Sequence, residues 1–471
     1  MKITLKSLPI ILFTIIIATS TAVIAQDDTL NLNNAITISL QNNNRYKISQ
    51  EKVHEKSLKI NEVWGELWPQ FSSDDSATRW VADKGTLTGS DGQYTIDIVK
   101  GTIAINPGDF YNKLKASRED YIISVNDERK VKSDTIVKTI QLYYGVLLEQ
   151  EMVKFRIDSL RALEENLHVV ETGYKNGMYT QLVFLRAKVA AANETTRLIN
   201  ARKDYEQTKS AFNIQLGRET DMPVNLDTSP LHLTGDVDNN LFTVNDAELM
   251  NHYDEFINIA VKNRPELLQL NHLKNFYQYK EMQNDSVYLW PTFFVNGTYG
   301  ATELINPKGD VDTGMGDTAN VIVNSLNSEI NYKGWNKNWN ITVGAVYRWG
   351  TLSPVDATRY RSDEFKSLTQ QTDLELEDFI KSLKLEIKDG LLGLVAASHA
   401  IQSQRDNIAS AKESVRVAVL QFKNGMIDNT ELLNANVELS NATTMYIQSL
   451  YDFQVSKAKL NRALGYDYFS F

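Results

Sequence analysis

The chain has 471 residues, a formal net charge of −10 and no cysteine. The acidic balance argues against a nucleic-acid partner. Without cysteine there is no disulfide staple, no thiol nucleophile, no thiolate metal site and no lipid-modified amino terminus. The six histidines (54, 168, 232, 252, 272, 399) are scattered, and none sits in a His-Glu-x-x-His pattern. There is no Gly-x-x-x-x-Gly-Lys loop, so energy for any transport must come from a partner. The expectation is a non-enzyme with no catalytic residue, no cofactor and no metal site.

Residues 1–25 read as a signal peptide: Lys2 and Lys6, then the apolar run 8–18, then Val23-Ile24-Ala25. Its removal would take the charge from −10 to −12, because Lys2 and Lys6 go with it. No later apolar run is long enough for a membrane-spanning helix. Helices are expected over about 34–67 and 254–289, each carrying apolar residues at helical spacing and each ending at Trp-Pro (Trp68-Pro69 and Trp290-Pro291). No proline lies between 108 and 222, or after 354. Because proline breaks helix interiors, those stretches are free to be helical, and helices are expected over about 109–172 and 355–421. The first would be roughly 95 Å long at 1.5 Å per residue. Ile380, Ile387, Leu394, Ile401, Ile408, Val415 and Phe422 fall every seven residues, with mostly small companions such as Gly390, Ala397 and Ala411. Such a repeat makes a left-handed coiled-coil seam.

Lys175-Asn176-Gly177-Met178 recurs as Lys423-Asn424-Gly425-Met426, an offset of 248, and the match runs without a gap to Leu216-Gly217 and Leu464-Gly465. Each Asn-Gly is a helix-hairpin turn, since glycine just past a helix tolerates left-handed backbone. Returning helices follow over about 181–216 and 429–464. The chain therefore divides into a first repeat (26–217), a linker (218–253), a second repeat (254–465) and a tail (466–471).

Between each Trp-Pro and the later proline of the same half, Pro107 or Pro354, the period changes to two. Trp339, Ile341, Val343, Ala345, Tyr347 and Trp349 alternate with Asn340, Thr342, Gly344, Val346 and Arg348. Phe293, Val295, Gly297, Tyr299 and Ala301 alternate with Phe294, Asn296, Thr298 and Gly300. An apolar face bounded by aromatics, opposite a polar face, over about ten residues is the pattern of a transmembrane barrel strand. In the first half the alternation of Tyr94, Ile96 and Ile98 slips near Val99 and resumes at Ile103 and Ile105. The 71–82 segment holds Asp74, Asp75 and Arg79, and its lipid face is not legible. Polar loops over 83–93 and 303–337 join the strands. Four strands cannot close a barrel, and an open edge is not tolerated in lipid, so several copies must complete one. The fold class expected is mainly α with a membrane β part: long coiled-coil hairpins plus four strands per subunit. A pore-free periplasmic coiled-coil scaffold or adaptor would share the heptads but not the strand bands.

In order and in duplicate, these segments resemble the TolC family of outer-membrane efflux proteins. The resemblance rests on Asn34-Ala35-Ile36…Trp68-Pro69, on Asn263-Arg264-Pro265-Glu266-Leu267…Trp290-Pro291, and on Tyr174-x-x-Gly177…Leu185-x-Ala187 with Phe422-x-x-Gly425…Leu433-x-Ala435. It implies a homotrimer with a twelve-stranded barrel in outer-membrane lipid, on a helical barrel that crosses the periplasm of a Gram-negative cell. It implies an exit duct of tripartite efflux or type I secretion. The partners would be a periplasmic adaptor (membrane fusion) protein and an inner-membrane RND or ABC transporter. The Gly177 and Gly425 turns would lie at the periplasmic tip, which opens on assembly. The family's acidic positions six and nine after the second glycine are here Glu431 and Asn434. Glu431 fits, Asn434 departs, and Asp428 is a further acidic candidate. Arg186 is the expected ion-pair partner of Glu431 across the tips.

Overall fold

The computed structural model describes residues 29–79, 92–227, 252–305, 334–350 and 356–466. The expected leader, most of both strand-connecting loops, the middle of the 218–253 linker and the last five residues lie outside the described residues. The elements are α1 (Leu32–Asn42), α2 (Asn44–Gly65), β1 (Gln70–Arg79), β2 (Gly92–Ile105), α3 (Pro107–Lys175) and α4 (Gln181–Gln215). The second half gives α5 (Tyr253–Asn263), α6 (Pro265–Leu289), β3 (Thr292–Ile305), β4 (Asn336–Val346), α7 (Ala357–Lys423) and α8 (Asn429–Leu464). Among the described residues no helix is long and apolar enough to cross a membrane.

The proline-free stretches form α3 and α7, helices of 69 and 67 residues. Both begin at side-chain caps. Asn106 accepts from the Asp109 amide at 3.0 Å, ahead of Pro107, and Asp356 accepts from the Thr358 amide at 2.9 Å. The heptad positions Ile387, Leu394, Ile401 and Phe422 and their companions Leu383, Ala397 and Ala418 are buried, and α7 packs along α8 as the seam requires.

Two helices replace each single helix expected before Trp-Pro. The chain breaks for one residue, at Asn43 and at Arg264, both with φ −65° and ψ 120°. Asn43 turns its side chain onto the amides of Arg45 and Tyr46 and so starts α2 anew. Arg264 precedes Pro265, and a residue before proline is pushed into extended backbone. A one-residue break leaves the apolar spacing nearly in phase, which is why the pattern reads as continuous.

These breaks mark where short helices meet end to end. The Asn43 amide donates to Gln215 O at 3.1 Å, joining the end of α4 to the start of α2. Arg264 donates to Arg462 O, joining the end of α8 to the start of α6. The lateral order of the wall is therefore α2 above α4, then α3, then α6 above α8, then α7. The sheet is antiparallel in the order β1-β2-β3-β4. Both layers thus run in the same direction, from first-repeat edge to second-repeat edge.

The core lies in two clusters. The larger, at mid-height, gathers Ile36, Ile140, Tyr143, Leu147, Phe212, Leu216, Ile387, Leu391 and Leu464. Here residues 29–30 and 225–227 cross the α3 face that carries Tyr143: Leu30 N donates to Asn225 O at 2.8 Å and Asp227 N to Leu30 O at 3.1 Å. The Tyr143 hydroxyl lies 3.2 Å from Leu30 O and 3.1 Å from Asp227 O. The smaller cluster, at the hairpin ends, holds Val170, Ala187, Ala418, Phe422, Leu432 and Ala435.

Candidate functional site

The sheet separates its side chains by chemistry. In an antiparallel pair, residues directly opposite one another point to the same face. The rows Ile105–Phe293–Ala345, Ile103–Val295–Val343, Gly101–Gly297–Ile341 and Val99–Tyr299–Trp339 share one face. The alternate rows, Thr102–Asn296–Thr342 and Lys100–Thr298–Asn340, share the other, with Ala104–Phe294–Gly344 at its helix-side end. The apolar face is bare: Trp339, Ile341 and Val343 are each at least 65% exposed. The polar face is knit by Thr298 to Asn340 at 2.7 Å, Asn338 to Thr302 at 3.4 Å and Lys100 to Asp74 at 3.2 Å.

The slip in the β2 alternation has a local cause. The register with β3 shifts between Asp97 and Val99, and that with β1 shifts between Asp97 and Lys100, so β2 carries an inserted residue at Ile98, a β-bulge. The insertion returns Tyr94 and Ile96 to the same face as Val99, Ile103 and Ile105. The obscure first strand is also resolved by register. Phe71 lies level with Gly101, Gly297 and Ile341, whereas Asp75 lies level with Ile96, Ala301 and Lys337. Asp75 and Arg79 therefore sit beyond the Trp339 row, where charge does not meet the apolar band.

At the opposite end of the molecule the two hairpin turns lie together. Gly177 (φ 75°) and Gly425 (φ 69°) are left-handed. Met178 N donates to Gly173 O at 2.8 Å and Met426 N to Gln421 O at 2.9 Å, which closes each helix end. Tyr179 of the first hairpin stacks on Phe422 of the second, 5.7 Å between centroids. Gly173 makes room for this: a Cβ there would lie 2.3 Å from the Tyr179 ring. Asn166 donates to Asn429 Oδ1 at 2.9 Å.

Arg186 reaches the second hairpin, though through a different residue from the one expected. It donates to Thr430 Oγ1 at 2.9 Å, and Thr430 donates to Asp428 Oδ2 at 3.1 Å. Glu431 is exposed in the first turn of α8, where a carboxylate faces the positive helix end. Among the described residues it has no ion pair, and Asn434 is exposed one turn further on. The polar relay from Arg186 to Asp428 was not legible in the sequence, because the two repeats give no hint that a threonine stands between them.

No family model matches the chain. The curated protein "Cation efflux system protein CusC" of Escherichia coli O157:H7 is 19% identical over 440 residues, covering 91% of this chain and 85% of that protein. The crystal structure of CusC superposes with a TM-score of 0.70 at 15% identity, covering 94% of this chain and 96% of that one. The CmeC outer membrane channel of Campylobacter jejuni superposes at 0.66 and 16% identity, covering 92% and 85%. The open-state MtrE outer membrane channel of Neisseria gonorrhoeae superposes at 0.68 and 15%, covering 92% and 89%. CusC and these neighbours are outer-membrane factor channels of the TolC family. Over the described residues, the fold of this chain is the fold of that family.

Proposed function

We propose that three copies of this chain close into one tube and serve as the outer-membrane exit duct of an efflux system. The observation that carries the reading is the sheet: one bare apolar face edged by aromatics, one Asn- and Thr-lined face, and two open edges. Lipid tolerates no open edge, and a face of Asn340, Thr342 and Thr298 suits water. The sheet ends at β1 and β4, and the helical wall ends at α2/α4 and α7, on the same two sides. Contacts between unlike edges form a ring when the rotation closes. Exposed apolar residues line both helical edges: Ile48, Leu182, Val189 and Ile199 on one, Leu374, Leu385 and Leu392 on the other.

With the 29–30 and 225–227 segments on the outside, the lumen meets the other face of α3. Asp134, Lys138 and Gln141 lie on that face, beside a cleft of about 970 Å³ that also takes in Arg45, Glu386 and Arg462. The duct is passive. Cargo enters at the hairpin tip from an adaptor and an inner-membrane RND or ABC pump, in drug efflux or type I secretion, and leaves past the strand loops. Arg186, Asp428 and Glu431 are the tip residues that meet the entering cargo, and Gly177 and Gly425 shape the turns that carry them.

The test is purification in detergent followed by planar-bilayer recording. A heat-modifiable trimer giving stable ion-conducting steps is expected. A chain that stays dissolved as a monomer without detergent and gives no conductance would reject the proposal.

A further inference from the structure

Residues two apart on a helix point about 200° away from each other, and the top of α3 carries cations on both of its free faces. Lys113, Asp120, Asp127, Asp134 and Gln141 fall every seven residues on the face turned to the lumen, and Lys115, Ile122, Arg129, Ile136 and Tyr143 fall every seven on the face turned outward. On the lumen side each lysine meets a carboxylate: Lys113 meets Glu66, and Lys56 meets Asp120 at 3.1 Å. The outward cations do not. The Lys115 ammonium lies 5.5 Å over the ring of exposed Tyr111, Arg118 is exposed three residues further on, and among the described residues neither has an ion pair. Glu119, one turn from Lys115, is bonded to His272 at 2.7 Å instead.

The repeat sharpens the contrast. At the offset of 248, Lys115 corresponds to Asp363 and Arg118 to Lys366, and Lys366 donates to Asp363 at 3.1 Å. The second repeat neutralises this place within its own helix, whereas the first leaves two cations side by side. The sheet sets their height. Ile103 shares a row with Val343, midway along the run bounded by Trp339 and Trp349. With strands tilted about 40° the chain descends about 2.5 Å per strand residue and about 1.5 Å per helix residue, which puts the Tyr111 backbone about 15 Å and the Lys115 backbone about 21 Å from the midplane. Helical side chains lean toward the helix N-terminus, here toward the membrane. The Tyr111 ring therefore reaches the rim of an apolar band about 25 Å tall, and the Lys115 ammonium enters the headgroup layer, which ends about 20–22 Å from the midplane. Exposed Trp68 and Trp349, at the helix-side ends of β1 and β4, mark the same belt.

We propose that Lys115 and Arg118, with Tyr111 above them, bind the phosphate of an anionic phospholipid in the leaflet on the helical side, one molecule per chain. The proposal rests on the duct reading above, which supplies the membrane. The guanidinium and the ammonium close on the phosphodiester oxygens, and the acyl chains run up the bare face past Phe293 and Val295, both exposed. A lipid is the occupant, and not free phosphate, because the two cations stand at the foot of the lipid-facing band and share its outward side.

The test is lipid retention by the full-length assembled protein. Protein purified in detergent is mixed with micelles of phosphatidylethanolamine and phosphatidylglycerol, washed, and weighed by native mass spectrometry. Wild type is expected to keep one phosphatidylglycerol per chain in preference to phosphatidylethanolamine. Lys115→Gln with Arg118→Gln should weaken retention about thirtyfold, at about fivefold per cation, without changing the temperature at which the oligomer dissociates on semi-native gels. Lys366→Gln, at the equivalent place in the second repeat, should retain lipid as wild type does. Soluble glycerophosphoglycerol, which carries the same headgroup and no chains, should not displace the lipid at equal concentration; displacement would overturn the lipid assignment. If the double variant fails to assemble, Lys115→Gln alone decides. Wild-type protein that forms no pore in planar bilayers sinks the duct reading itself. A conducting wild type that keeps no more phosphatidylglycerol than the variant overturns the lipid site alone.

Discussion

The two faces of β4 give the most decisive test, because adjacent residues are assigned to opposite solvents. Val343 is 73% exposed and shares its row with Val295 and Ile103. It lies four residues from Trp339 and six from Trp349, so at about 3.3 Å per residue it is near the middle of the band. An arginine there is placed in hydrocarbon, at a cost of about 2–4 kcal/mol per chain for a midplane position. Thr342 shares its row with Asn296 and Thr102, on the watered face. An arginine at 342 keeps its hydration and costs close to nothing. It also adds a positive charge to the conduction path. Val343→Arg should therefore lower the temperature at which the oligomer dissociates on semi-native gels and reduce its yield in membranes. Thr342→Arg should leave both unchanged and shift the reversal potential in a salt gradient toward anions. Equal destabilisation by the two, or the reverse order, would refute the assignment of faces and with it the lipid reading of the sheet.

Other outcomes follow from the helical part. Gly465 (φ 74°) and Gly425 (φ 69°) both need left-handed backbone, but a Cβ on Gly465 would lie 2.9 Å from the Asn263 carbonyl whereas one on Gly425 meets nothing within 4 Å. Thermal melts should show Gly425→Ala costing about 1 kcal/mol and Gly465→Ala about 1–3 kcal/mol more from overpacking; similar losses would contradict the end-to-end joint. Single-channel conductance of Glu431→Ala and Arg186→Ala should rise relative to wild type if the tip is held by these groups, and an unchanged conductance with no added antibiotic leakage would remove them from the gate. Burial, with Asp227 contributing, pushes the Tyr143 hydroxyl up to about 12. The unfolded chain loses this proton near 10, so the stability Tyr143 supplies is complete below pH 10 and falls away as pH rises from 10 to 12. Tyr143→Phe should be less stable at neutral pH and show a flatter decline across that window by circular dichroism.

Local and periodic features were legible from the residues alone. The absence of proline and the seven-residue spacing are properties of one helix face, so α3, α7 and their turns could be read to within a few residues. The strands of the second repeat were legible because tryptophan and tyrosine mark the ends of a clean alternation. What failed to show had one cause, which is that it depends on a neighbour distant in sequence. Ile98 is a bulge only in relation to the strands on both its sides. Asp75 looks misplaced until register carries it past Trp339. The break at Asn43 is invisible because the next helix resumes nearly in phase, although the side-chain cap on Arg45 and Tyr46 is a signal that asparagine can give. Arg186 was paired with Glu431 from the sequence, and choosing Thr430 instead needs the angle between two helix ends.

The spliced construction of the wall has a mechanical outcome. Each chain contributes two rods, α3 and α7, that run unbroken from beneath the sheet to the tip, and two composite rods interrupted at Gly217 and Gly465. A pull applied at the tip is transmitted to the sheet along the unbroken pair, while the spliced pair can give at its joints without stretching a single helix. Stiffness along the axis and compliance around it thus reside in different members of the same wall.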